Sequence, residues 1–152
     1  MSTDSANTPT ELFHNLIRRV KESGSVEGVR FINAMGDQPA EKPITGYLAI
    51  CEIVKAQYER VFFGSGKSDK SARYALKHRL KCGVKLMGKK HSSAAALQAK
   101  LDEITEELIK CDTEGYIVET EAGYAKYDKD SEGIFKELYV YLEVYGVYGE
   151  EV

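Results

Sequence analysis

The segment Gly64-Ser65-Gly66-Lys67-Ser68 contains residue types that can bind phosphate. In a nucleotide-binding loop, glycines let backbone N–H groups approach the phosphates, while the Lys and Ser side chains contact phosphate oxygens and magnesium. The complete motif also requires a glycine at the position of Val61 and a preceding strand, whereas the residues before Gly64 predict a helix. We therefore expect a flexible loop before a capped helix N-terminus, which can hold a lone phosphate, rather than a site of nucleotide hydrolysis.

Metal or acid–base chemistry would require further side chains to converge. His78 and Cys82 are four residues apart and His91 follows, but a structural zinc site uses four ligands in closely spaced pairs. The acidic residues of 102–107 have the spacing of the solvent-exposed face of a helix. The sequence thus predicts no catalytic residue, no cofactor and no metal site, and we expect a protein that is not an enzyme.

Charge is strongly segregated along the chain. Residues 55–100 contain 12 Lys and Arg against 2 acidic residues, whereas residues 101–152 contain 4 against 15. In the first of these segments, basic residues recur mostly at steps of three or four and predict a basic stripe on one helix face. The helix face carries Lys70, Arg73, Lys77, Lys81 and Lys85, with Lys67, Arg79, Lys89 and Lys90 close by, and we call these nine residues the basic stripe. Because like charges four residues apart repel each other on a helix, we expect a compensating anion.

Two compensating anions are compatible with this pattern, and they lead to two functions. The phosphates of DNA or RNA would make the protein a nucleic-acid-binding accessory or regulatory protein. The chain's own acidic C-terminal third, which carries seven of the ten tyrosines, would instead favour a protein-interaction or assembly module. Such a module could act as an inhibitor, a nucleic-acid mimic or a subunit of a homo-oligomer, and its partner-binding residues would be Tyr139, Tyr141 and Tyr145.

Hydrophobic periodicity predicts the elements that must position these residues. Apolar residues at helical spacing predict helices over about 9–23, 46–63, 71–86 and 93–111. The short run 29–35 is rich in β-branched and aromatic residues and predicts a strand. Residues 116–120 and 124–127 predict a hairpin, and strict alternation from 138 to 147 predicts a strand whose edge could join subunits.

These elements predict an α+β fold in which a mostly helical N-terminal two-thirds precedes a small antiparallel sheet. From about residue 46 to 127, the order of three helices and a hairpin resembles a winged helix-turn-helix domain. The resemblance implies that the helix before the hairpin would approach DNA through its first half, 92–100, while the basic stripe would bind phosphates.

Composition sets the remaining expectations. The 152 residues, 43% of them apolar, predict a single domain with a flexible leader at residues 1–7. Cys51, Cys82 and Cys111 are widely spaced, which favours free thiols over a disulfide framework. The polar N-terminus lacks a secretory signal and no apolar run is long enough to cross a membrane, so we expect a cytoplasmic protein that does not contact membranes.

Overall fold

The computed structural model describes residues 9–33, 46–62, 73–88, 92–129 and 133–149. The elements in chain order are α1 (Pro9–Ser23), β1 (Val29–Asn33), β2 (Tyr47–Phe62), β3 (Arg73–Met87), α2 (Ala94–Cys111), β4 (Ile117–Ala122), β5 (Lys126–Asp128) and β6 (Gly133–Gly149).

All six strands belong to one sheet with the order β1-β2-β3-β6-β4, and β5 also pairs with β6. The pairing of β1 with β2 is parallel, and every other pairing is antiparallel. The long strands β2, β3 and β6 form the centre, so a β3 side chain has neighbours from distant parts of the sequence on both sides.

Helices α1 and α2 pack against each other and against one face of this sheet, and the core lies between the two layers. Alternate side chains of β3 and β6 point into the core because successive residues of a strand face opposite sides. The fully or nearly fully buried core side chains include Phe13, Leu16, Val20, Leu80, Cys82, Val84, Leu86, Leu97, Leu101, Ile104, Leu108, Leu138, Val140 and Leu142.

The predictions of both observed helices are confirmed. In α2, Leu97, Leu101, Ile104 and Leu108 repeat at steps of four and three, and all four are buried. The Ser93 hydroxyl accepts a hydrogen bond from the Ala96 N–H at 3.1 Å and caps the first turn.

The predicted helices over 46–63 and 71–86 are wrong, because these segments are strands β2 and β3. The prediction for 46–63 relied on steps of three and four residues, and that for 71–86 mainly on steps of four, such as that from Leu80 to Val84. A step of four returns a side chain to the same face of a strand as well as to nearly the same face of a helix. Cys82 lies between these two residues and is equally buried, which fits only the two-residue period of a strand.

The mostly helical N-terminal two-thirds and the small C-terminal sheet are therefore wrong, and the fold is an α+β structure dominated by its sheet. The resemblance of residues 46–127 to a winged helix is wrong for the same reason, since two of its three helices are strands. The predicted hairpin is also wrong, because β4 and β5 each pair with β6 and not with each other.

The alternation predicted for 138–147 is confirmed in β6, but its role as an edge strand is wrong over much of its length. β6 pairs with β3 from residue 135 to residue 149, and on its other side it pairs with β5 over residues 133–135 and with β4 over residues 138–142.

Strands β2, β3 and β6 extend beyond the part of the sheet that the helices cover. On the helix side of the sheet, Leu80 and Leu142 are buried, whereas His78 and Val144, one step further along the same strands, are only partly buried. On the neighbouring strand, Tyr58 is 61% exposed and its ring meets the His78 ring edge-on at 4.5 Å between centroids. The end of the sheet therefore projects from the two-layer body.

Candidate interaction surface

The face of the sheet opposite the helices carries residues from both groups that the sequence indicates, the basic stripe and the tyrosines of the C-terminal third. We call it the outer face and define it by the alternate side chains of β3 and β6 that point away from the core. These include Lys77, Arg79, Lys81 and Lys85 on β3 and Phe135, Glu137, Tyr139, Tyr141, Glu143 and Tyr145 on β6. The register places Lys77 opposite Tyr145, Arg79 opposite Glu143 and Lys81 opposite Tyr141. The basic and the tyrosine-rich segments therefore form one surface.

Carboxylates from three neighbouring strands approach two of the β3 cations. The Arg79 guanidinium is hydrogen-bonded to the Glu143 carboxylate and lies 3.6 Å from that of Glu119 on β4. The Lys77 ammonium lies 3.6 Å from Glu143 and 4.0 Å from Glu59 on β2. Glu143 is the centre of this network, because its side chain is only 15% exposed and contacts both cations.

Aromatic rings accompany the cations along the same face. The Lys81 ammonium lies 4.4 Å from the centroid of the Tyr139 ring, and the Lys85 ammonium lies 4.1 Å from that of Phe135. The Arg79 guanidinium lies 5.2 Å from the centroid of Tyr141. These distances fall within the range of cation–π attraction, which offsets part of the repulsion between neighbouring cations.

A glycine on the outer face makes room for a side chain of the neighbouring strand β2. A Cβ at residue 83 would lie 3.0 Å from Val54 Cγ2, which is a tight contact, and 3.8 Å from the ring of Tyr139, the residue opposite Gly83, which is an ordinary contact. The missing side chain therefore leaves space for Val54, and the Tyr139 ring lies beside the Lys81 ammonium.

The tyrosine hydroxyls are hydrogen-bonded to the acidic residues of the same face. Tyr139 donates to Glu137 at 3.1 Å, and Tyr141 donates to Glu121 at 3.3 Å. Burial and then the Glu137 carboxylate raise the pKa of Tyr139, so this phenol remains a hydrogen-bond donor at neutral pH. Tyr145 is 57% exposed and is the most open of the three predicted partner-binding tyrosines.

Only part of the basic stripe can be placed. Lys77, Arg79, Lys81 and Lys85 lie on β3 and share the outer face, so the basic face is that of a strand and not of a helix. Arg73 is the first residue of β3. Lys67, Lys70, Lys89 and Lys90 lie outside the described residues, as do the Gly-Ser-Gly-Lys-Ser segment and the predicted leader at 1–7.

Sequence reasoning missed the carboxylates and the ring that contact the cations. Glu59, Glu119, Glu143 and Phe135 come from three different strands, and each reaches β3 only through sheet pairing. The alternation of basic with apolar residues in β3 could have revealed its outer face. The identity of the partners depends on strand register, which no local pattern in the sequence specifies.

A concavity of about 390 Å³ lies on the projecting part of the sheet and is lined by Gln57, Tyr58, Glu59, Lys77 and Arg79. A smaller concavity, of about 120 Å³, lies beside α1 and is lined by His14, Ile17, Arg18, Lys21, Phe31, Ile32, Asn33 and Cys51.

The thiol beside the smaller concavity is a poor nucleophile. Burial raises the pKa of Cys51 to about 12, although the Lys21 ammonium acts in the opposite direction, so the group is a neutral thiol at physiological pH. His14 is hydrogen-bonded through Nε2 to the Asn33 amide at 3.0 Å. Within the described part of the chain, no three His, Cys, Asp or Glu side chains are grouped closely enough to hold a metal ion.

Of the two helices in the described ranges, neither α1 nor α2 is long and apolar enough to span a membrane. The sequence matches no model of a known protein family and none of the curated proteins with which it was compared.

Proposed function

We propose that this protein is a protein-interaction module whose partner binds the outer face of the sheet. The observation that carries the proposal is the contact of Glu143, Glu119 and Glu59 with Lys77 and Arg79. A polyanion would have to displace these carboxylates from the cations. A protein surface that carries charges of both signs can instead pair with the cations and with the carboxylates of the outer face.

The aromatic content of the face supports the same proposal. Tyrosine provides a large, rigid contact area with a polar end, and protein interfaces are enriched in it. Tyr139, Tyr141 and Tyr145 share one face of β6, with Glu143 between the second and the third, so a partner lying along this strand could contact all three rings. The charged side chains beside these rings would form hydrogen bonds that orient the partner, and they would contribute less to the affinity.

The proposal is tested by comparing variants of the outer face with a variant of the helical layer. Tyr145→Ala and Tyr141→Ala remove contact area from the outer face, and Glu106→Ala removes an exposed carboxylate from α2. A partner isolated by cross-linking in the native cell and then purified should bind the two Tyr variants at least tenfold more weakly, while Glu106→Ala should bind as the wild type does. Equal affinity for all four proteins would refute a role for the outer face.

Binding of single-stranded nucleic acid is a second candidate, favoured by Lys81 and Lys85. Both ammonium groups lie over aromatic rings, and among the described residues neither forms an ion pair with a carboxylate. Cations beside aromatic rings on an open sheet are the features with which proteins hold phosphates and stack bases.

The second candidate predicts a different response to salt. If Lys81 and Lys85 bind phosphates, Lys81→Glu combined with Lys85→Glu should weaken binding similarly for all nucleic-acid sequences, and wild-type affinity should fall steeply as salt is added. Fluorescence anisotropy with short DNA and RNA strands measures both effects. An affinity that does not depend on salt would eliminate this candidate.

A further inference from the structure

One edge of the sheet is left open by the short strand β1. β1 pairs with β2 only from Tyr47 to Cys51, whereas β2 pairs with β3 as far as Phe62. We call residues 52–62 the β2 edge. On the side away from β3, no strand of the described residues pairs with it. At about 3.3 Å per residue, roughly 35 Å of backbone donors and acceptors point away from the sheet along this edge.

The exposure of this edge is unusual for a strand in a folded domain. Every residue from Val54 to Arg60 is exposed, whichever face of the sheet its side chain occupies. Large apolar side chains are exposed along this edge as well, since Val54 is 47% exposed and Tyr58 is 61% exposed. A long edge strand with exposed apolar residues is a template for pairing with another strand.

Charges at the centre of the edge determine which strand can pair with it. Lys55 and Glu59 both lie on the outer face, because they are opposite Lys81 and Lys77 in the register with β3. Antiparallel pairing of two copies of the β2 edge about Gln57 would place Lys55 of each copy opposite Glu59 of the other. On the helix side of the sheet, the same register would place Ala56 opposite Tyr58.

Neighbouring registers lose this complementarity. Pairing centred on Tyr58 would place Lys55 opposite Val61 and Gln57 opposite Glu59, which leaves the Lys55 ammonium without a carboxylate. Pairing centred on Lys55 or on Glu59 would place like charges opposite each other at the two-fold axis, which is destabilising. Within residues 55–61, beyond the irregularity of β2 between Ile53 and Lys55, only the register centred on Gln57 forms two reciprocal ion pairs between side chains of the same face.

We propose that two copies of this chain associate through the β2 edge, in an antiparallel and two-fold symmetric pairing centred on Gln57. The contact is isologous, so it closes at two copies and does not continue into a fibre. Because opposite residues of paired strands share a face, both helical layers lie on one side and the two outer faces form one continuous surface. The pairing uses the strand edge and does not depend on what binds the outer face.

Charge reversal at the two positions provides the test. Lys55→Glu gives each copy two acidic residues at the paired positions, and Glu59→Lys gives each copy two basic residues. Either variant alone should dissociate at least tenfold more readily than the wild type, because two attractive pairs become two repulsive pairs. In an equimolar mixture of the two variants, each acidic edge faces a basic one, and the heterodimer should form.

Molar mass from light scattering at high micromolar protein concentration measures these outcomes. We expect the mass of two chains for the wild type, of one chain for each variant alone and of two chains for their mixture. Glu106→Lys, which makes the same change of charge on the exposed surface of α2, should remain dimeric. Since misfolded variants could not recover by mixing, restoration identifies the contact. A monomeric wild type, dimeric single variants or a mixture that stays monomeric would each overturn the proposal.

Discussion

Replacing Glu143 with Gln removes the carboxylate at the centre of the outer-face network while preserving the shape of the side chain. The wild-type carboxylate accepts a hydrogen bond from Arg79 and lies 3.6 Å from the Lys77 ammonium. A hydrogen bond to a charged group contributes about 1.5–3 kcal/mol to stability, whereas a solvent-exposed ion pair contributes about 0.2–1 kcal/mol. Because the Glu143 side chain is only 15% exposed, we expect Glu143→Gln to lower the free energy of unfolding by about 1.5–3 kcal/mol.

Glu119→Gln is the matched control. Its carboxylate also contacts Arg79, at 3.6 Å, but its side chain is 57% exposed, so the same substitution should cost less than about 1 kcal/mol. Urea unfolding followed by circular dichroism measures both values. In the double variant Arg79→Met, Glu143→Gln, the losses should be less than additive, since the two residues share one interaction. Equally small effects of Glu143→Gln and Glu119→Gln, with additive losses, would refute the view that Glu143 organises this face.

Three further predictions follow from burial and close contact. Leu101→Ala should lower the free energy of unfolding by about 2–5 kcal/mol because it leaves a cavity beneath α2, whereas Glu106→Ala should change it little. Equal effects of the two substitutions in urea unfolding would contradict the placement of Leu101 in the core. Burial lowers the pKa of His78 in the folded state, so the unfolded state takes up the proton at a higher pH. The free energy of unfolding should therefore fall as the pH drops below about 6.5. His78→Gln should reduce that fall in urea unfolding at several pH values, and the same pH dependence in the variant and the wild type would contradict this role of His78. Gly83→Val should destabilise by about 1–3 kcal/mol, because its Cβ would already lie 3.0 Å from Val54 Cγ2, and an unchanged melting temperature would show that the face can adjust.

The sequence predicted those elements whose periodicity has one interpretation. In α2, apolar residues repeat at steps of four and three, which no strand can place on a single face, and the helix was predicted with its buried residues. In β6, residues 138–142 alternate strictly between apolar and polar types, which no helix can match. Both predictions are confirmed.

Strand β3 could be interpreted as a helix or as a strand because its spacing is ambiguous. Lys77, Lys81 and Lys85 follow one another at steps of four, which suits a helix and a strand equally. Arg79 distinguishes the two structures, since it shares a face with Lys77 and Lys81 only if alternate residues point the same way. Its contacts with Glu143 and Glu119 place it on that face.

Segregation of charge along a sequence does not imply segregation on the surface. The basic strand β3 lies between β2 and β6, and β6 comes from the acidic C-terminal third. Antiparallel pairing therefore brings the two oppositely charged segments side by side, with Arg79 opposite Glu143. Of the two compensating anions that the sequence left open, the chain's own carboxylates occupy the positions beside Lys77 and Arg79. An external anion has to compete with these carboxylates, so among Lys77, Arg79, Lys81 and Lys85 on β3 the two beside aromatic rings, Lys81 and Lys85, are more available to a ligand.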